Sequence, residues 1–229
     1  MSVFVMRRGE PPATFDDIFA NNSWEKIIAA CQSGSVPYSW EVGNSKTMTI
    51  NGTDYQIDII GRNHDTYTYG GTAPLTFQMH DCYGTKYAMN SSETNEGGWA
   101  SCAMRSTHLP AILALMPTEV QNGIREVNKL TSAGRQSDTI NTTADKLFLL
   151  SEVEIFGSAS YSKRGEGTQY DYYKAGNSKV KKWNGSASNW WERSPYASSA
   201  MHFCVIKNDG SASNAYARIA RGVAFGFCF

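Results

Sequence analysis

The sequence predicts one α+β domain behind a short arm, and three observations carry that expectation. Near the start, apolar residues recur at helical spacing between a capping residue and a glycine. Further on, short runs alternate apolar and polar residues around turn pairs. Between them lie stretches of Asn, Ser, Gly and Thr with neither period, which predict long irregular loops and a small antiparallel sheet. A chain of 229 residues can bury a substantial core without disulfides or metals.

Residues 1–13, closed by Pro11-Pro12, read as a flexible arm, and residues 14–229 as a single domain. Ser23 can cap a helix whose apolar positions are Trp24, Ile27, Ile28 and Cys31, with Gly34 at its end. From Lys46 to Ile60, Met48, Ile50, Tyr55, Ile57 and Ile59 alternate with polar residues around Asn51-Gly52, the pair favoured in tight hairpins. His64-Asp65 follows, and its Asp is expected to organise the loop rather than serve an acid–base pair. Leu75 to His80 reads as a further strand. Met89 to Arg105 reads as a loop pinned over the core by Trp99.

A second helix is expected over Ser101 to Met116, kinked or broken at Pro110, with Pro117 starting a short turn. Ile124 to Leu130 alternates as a strand, Thr131 to Thr143 reads as loop, and Lys146 to Leu150 as a buried strand. Ser151-Glu152-Val153-Glu154 matches a capping box, with Gly157 as the stop. Lys179 to Lys182 reads as a solvated strand edge. The tail predicts strands near Asn189–Arg193, His202–Lys207, Asn214–Ile219 and Val223–Phe227, with Asn208-Asp209-Gly210 as a hairpin turn. Along them Phe203, Val205, Ala215, Ala217 and Ile219 are expected to face the core, and His202, Cys204, Asn214, Tyr216 and Arg218 to face outward.

Composition narrows the function classes. Twenty-one basic residues balance twenty-one acidic ones, and no basic stripe appears, so a nucleic-acid partner is not expected. No apolar run approaches a membrane span, and Val3-Phe4-Val5-Met6 followed at once by Arg7-Arg8 is too short for a secretory signal. The five cysteines have no zinc spacing and read as free buried thiols, although Cys204 and Cys228 could meet across neighbouring strands. A cysteine hydrolase built on Cys102 with His108 or His80 lacks an evident orienting acid. Glu192 and Asp209 alone do not predict calcium. Catalytic residues, metals and cofactors are therefore not expected.

Several phrases carry a resemblance. Met89-Asn90-Ser91-Ser92, Thr94-Asn95, Gly97-Gly98-Trp99, Thr131-Ser132-Ala133-Gly134, Asp145 to Gly157 and Trp190-Trp191-x-Arg193-Ser194-Pro195 are similar to those of a domain family common in gut bacteria and their prophages. That family resembles the C-type-lectin-like group of formylglycine-generating enzymes and the variable proteins of diversity-generating retroelements, whose ending Arg221 to Phe227 resembles. The resemblance implies a C-type-lectin-like fold with two main helices, and a retroelement-rewritten binding region over residues 186–229.

By that resemblance the chain is a receptor-binding protein on a phage tail or bacterial surface, its partner a host-cell surface protein or glycan. Assembly with other tail-fibre subunits as a homo-oligomer is a further expectation, and membrane insertion is not. The expected ligand-binding residues are Glu192, Tyr196, Ser198, Ser199, Met201, His202, Lys207, Asn214, Tyr216 and Arg218. Their mix of Tyr, Ser, Asn, His and Arg suits an adaptable recognition surface. Glu192 stands where the family commonly has an apolar residue, which marks it as a candidate member of the patch. A formylglycine-generating-type cysteine enzyme and a non-binding structural decoration are the alternatives.

Overall fold

The computed structural model describes residues 14–229, and the arm expected over residues 1–13 lies outside them. Helix α1 (Trp24–Ser33) forms as its sequence dictates. The Ser23 hydroxyl accepts the Lys26 N–H, and Gly34 ends the helix in the left-handed region at φ 69°. Its buried face carries Trp24, Ile27, Ile28 and Cys31 into a single core.

Strands β1 (Ser45–Ile50) and β2 (Thr53–Arg62) form a hairpin in which Ile50 faces Thr53. Asn51 and Gly52 both have positive φ, as the two-residue turn requires. The far half of β2 is buried on both faces, because β3 (Leu75–Met79) and α6 (Asp171–Lys174) pack against it.

The middle of the chain departs from the expected pattern. Trp99 does pin its segment to the core, from within a short helix, α2 (Gly98–Ser101). The expected second helix splits into a π turn (Met104–His108) and α3 (Leu109–Leu113). Leu109 N–H reaches back five residues to Met104 O, and Pro110, with no N–H to give, falls in the first turn of α3. Helix α4 (Thr118–Gly123) follows Pro117. Two main helices were expected, but α1 is the only ten-residue helix among the described residues.

Strand β4 (Val127–Ser132) pairs with β5 (Ile140–Asp145), so the loop expected over Thr131–Thr143 is shorter than the sequence suggested. Lys146 to Leu150 is no sheet strand. It is an extended segment bridged once, Phe148 to Gly226, because the carbonyls of Leu149 and Leu150 are taken by Arg193. Helix α5 (Glu152–Phe156) shows the full reciprocal capping box of Ser151 and Glu154.

The short hairpin β6 (Lys181–Trp183) and β7 (Ser186–Ser188) leads into the tail sheet. That sheet has the order β10-β9-β8, with β8 (Trp190–Pro195), β9 (His202–Ile206) and β10 (Ala212–Tyr216). The last strand, β11 (Gly226–Cys228), was expected beside these. It pairs instead with β3 and closes the first sheet in the order β1-β2-β3-β11. Its register lays Phe227 against Phe77, whose rings stack at 5.3 Å. The tail thus joins the sheet begun by β1, on the same core that α1 packs against. Among the described residues the architecture is α+β, with four small antiparallel sheets and few helices.

Candidate functional site

The tail sheet rests on charged groups removed from water. Arg193 of β8 forks onto the Glu154 carboxylate of α5 and donates to the carbonyls of Leu130, Leu149 and Glu166. Lys129 of β4 reaches both Glu154 and Asp65 at 2.7 Å. Asp65 also accepts from Thr76 at 2.6 Å and from the Tyr170 hydroxyl at 2.8 Å. Asp65 was expected to organise its own loop. It is instead the far end of a buried ion-pair chain, and His64 stacks on Tyr170 rather than pairing with it. Burial alone would raise both carboxyls, but Lys129 brings Asp65 down to about 2, and Arg193 with Lys129 holds Glu154 below its usual range.

Above this base, three loops interlock at Asn95. Its backbone N–H bonds Ala200 O, its amide nitrogen donates to Ser199 O and His202 O, and its amide oxygen accepts from Arg135 N–H, all at 2.8 Å. The loops meet backbone to backbone. A Cβ on Gly98 would lie 2.0 Å from Ser132 O, and one on Gly134 would lie 1.8 Å from Asn95 O. Both glycines have positive φ as well. The phrases around Gly97-Gly98-Trp99 and Ser132-Ala133-Gly134 therefore make the cradle that fixes the segment 196–201.

On that cradle lies a strip of half-buried rings that ends in the exposed Tyr216. Tyr161 and Tyr196 have centroids 5.7 Å apart, Tyr196 meets His202 edge-on at 6.1 Å, and His202 lies 4.0 Å from Tyr216. His202 is further fixed by Ser199 Oγ at 2.7 Å from its Nδ1, and Tyr216 pairs with it across β9 and β10. Tyr216 and Met201 are each 42% exposed. Arg218 stands at the margin, paired with Glu93. Tyr161 and Glu93 were not among the expected residues, because they come from distant segments and only the fold brings them here.

The expected patch does not hold together in full. Tyr196, Ser199, Met201, His202, Tyr216 and Arg218 gather on the described surface, with Ser198 exposed in the same loop. Asn214 lies midway along β10, opposite Cys204. Lys207 stands past the other end of β9, beside Asp209 at 3.5 Å. Cys204 was expected to face outward and is buried, because the strand is covered on both faces.

Glu192 needs the largest correction. It is 0% exposed, neither carboxylate oxygen has a hydrogen-bond partner among the described residues, and it cannot join a surface patch. Burial, with Glu152 and Glu166 nearby, pushes its carboxyl well above the usual range and so favours the protonated form. Glu152, by contrast, accepts the N–H groups of Ser160, Tyr161 and Ser162.

Lys181 is likewise buried rather than solvated. It donates to the carbonyls of Met79 and His80 and lies over the Trp190 ring, while burial draws it down to about 8.

The cysteines present no activated thiol. Burial pushes Cys31 and Cys102 to about 12, Cys82 to about 11, and Cys204 and Cys228 well above the ordinary thiol value. Cys204 and Cys228 lie in different sheets and are both free. Cys102 donates to Trp99 O while His108 stacks on Tyr87, and His80 pairs with Asp58 at 2.7 Å. Among the described residues no three His, Cys, Asp or Glu side chains are grouped to hold a metal ion. No helix there is long and apolar enough to cross a membrane.

A family model described as a domain of unknown function, DUF6273, matches residues 75–228. No curated protein and no solved structure matches the chain.

Proposed function

The chain belongs to the DUF6273 domain family, and from its own geometry we propose that it is a recognition module that binds a cell-surface protein or glycan through the tail patch. The observation that carries this reading is the strip Tyr161–Tyr196–His202–Tyr216, in which an exposed Tyr216 continues three half-buried rings over a buried base. Rigid rings give contact area at low entropic cost, and Ser198, Ser199 and Arg218 beside them supply adaptable polar contacts. The high thiol values bear against the cysteine-enzyme alternative.

We further infer a C-type-lectin-like arrangement, supported by the small separate sheets and long irregular segments. Carriage on a phage tail or bacterial surface, self-assembly there, and retroelement rewriting of residues 186–229 follow from the resemblance of the tail phrases. Under that reading the scaffold residues Trp190, Phe203, Gly222 and Phe227 are fixed, and the codons for Tyr196 to Arg218 vary among copies of the gene. Glu192, lying in the base, is fixed as well.

The test uses fluorescently labelled protein against a panel of gut bacterial cells and a printed array of their surface glycans. The expected outcome is saturable binding that falls about tenfold or more when Tyr196 and Tyr216 are both changed to Ala, at unchanged thermal stability. Equal binding by that double variant would sink the assignment of the patch. Sequencing the 3′ end of the gene across isolates then tests diversification, which an invariant tail would exclude.

A further inference from the structure

A second surface has the makings of a binding site, and it draws on none of the tail patch. Two adjoining hollows, of about 430 and 240 Å³, share Glu126 and Lys146 as common lining and so form one trough. One end is walled by Tyr69 and the other by the apolar side chains of Leu109, Pro110 and Leu113. The floor is held by main-chain bonds: Arg125 N–H to Cys228 O at 2.9 Å, and Thr68 N–H to Glu126 O at 3.2 Å. The turn that carries Tyr69 is closed by Tyr67 N–H to Gly71 O and Gly70 N–H to Tyr67 O.

Tyr69 is placed as a platform. Its ring stacks on Tyr67 at 4.9 Å and 10°, and Tyr67 is anchored by its hydroxyl to Phe229 O. One face is therefore fixed from beneath, and the side chain is 69% exposed. Beside it, Lys146 and Glu126 are exposed and form no ion pair or side-chain hydrogen bond among the described residues, and Arg125 has only one weak contact, 3.4 Å to Asn122 O. Here two cations and one carboxylate face the same trough unspent.

We propose that this trough binds a carboxylate-bearing sugar, one pyranose unit of an acidic glycan, with its apolar face on Tyr69. The aromatic face attracts the ring's C–H groups, Lys146 and Arg125 take the carboxylate, and Glu126 with the Asn122 amide takes adjacent hydroxyls. The excess of one cation over the acid favours a charged sugar over a neutral one.

The experiment is an amide-resolved NMR titration of the protein with sialyllactose and with a galacturonic acid trisaccharide. Lactose and the methyl-esterified trisaccharide are the neutral controls. The expected result is saturable shifts at Tyr69, Asn122 and Lys146 with at least one acidic sugar. Its affinity falls about tenfold on loss of the sugar's charge, on Lys146→Ala and on Tyr69→Ala, while Tyr216→Ala leaves it unchanged. Both altered side chains are exposed, so the variants fold. No shift with either acidic sugar, equal affinity for the neutral controls, or affinity indifferent to both trough variants each overturns the proposal. Loss on Tyr216→Ala also overturns it, because the sugar would then be bound at the tail patch.

Discussion

At the scale of the residue, the buried carboxyl of Glu192 is the clearest departure from what the site was expected to be. A carboxyl with no partner in the core costs stability unless it is protonated. Its folded-state pKa lies above the usual value of 4.5, so the folded protein binds the proton more tightly than the unfolded chain does. The group is therefore least costly below that value, and stability is lost as pH rises through the region above it. Glu192→Gln cannot ionise, so its advantage over the wild type is expected to grow from about pH 5 to about pH 8. Urea unfolding of the two proteins across that range measures it. The His80–Asp58 pair acts in the same direction, since Asp58 raises the His80 pKa and that support fades as pH rises above 6.5. It is present in both proteins, and the difference between them isolates Glu192. Glu192→Leu removes the unpaired oxygens altogether and is expected to stabilise by about 1–3 kcal/mol. A loss of stability on that change would mean that the carboxyl has a partner not seen here.

At the scale of the element, local sequence decided some pieces and distant contacts decided the rest. Helix α1, the Asn51-Gly52 hairpin and the Ser151–Glu154 capping box each carry their own start or turn chemistry, and each forms as read. Strand β5 has mostly polar side chains and gains strand geometry only from β4, so no periodicity announced it. Lys146 to Leu150 had the composition of a strand, but Arg193 takes the carbonyls that a neighbouring strand would have used. Lys181, Asp65 and Glu192 were misread for one reason: burial of a charged side chain is set by partners far away in sequence. The patch itself was legible in part. The ring contact of His202 with Tyr216 follows from strand pairing, whereas Tyr161 and Glu93 come from segments that no local pattern links to the tail. The loop cradle yields a prediction of its own. Gly98→Ala and Gly134→Ala each drive a Cβ onto a backbone carbonyl at a positive φ, and each is expected to cost about 2 kcal/mol or more. Gly185 also has positive φ but open space around it, so Gly185→Ala should cost only about 1 kcal/mol. Thermal unfolding compares the three, and equal losses would show that the backbone contacts do not matter. The glycine variants of the cradle should also weaken cell binding, because they displace the loop that carries Tyr196.

At the scale of the whole molecule, the chain Asp65–Lys129–Glu154–Arg193 ties the first sheet, the β4–β5 hairpin, α5 and the tail sheet into one unit. A buried pair of this kind is not in itself a large source of stability, but removing one member leaves an opposite charge stranded in the core. Arg193→Met strips Glu154 of its fork and is expected to cost about 3–5 kcal/mol. Adding Glu154→Leu should recover part of that loss, since the stranded charge goes with it; a double variant as unstable as the sum of the two singles would deny the coupling. The same chain sets the acid limit of the fold. Asp65 at about 2 and the lowered Glu154 both lie below their unfolded values of 3.8 and 4.5. Their contribution is complete above those values and is lost as pH falls toward about 2. Acidification should therefore release the tail sheet and the first sheet together, in one transition. Hydrogen exchange at β9 reports the tail sheet, and hydrogen exchange at β3 reports the first sheet. If the tail opens while β3 stays protected, the ion chain does not couple them, and the recognition surface rests on a separate unit of its own.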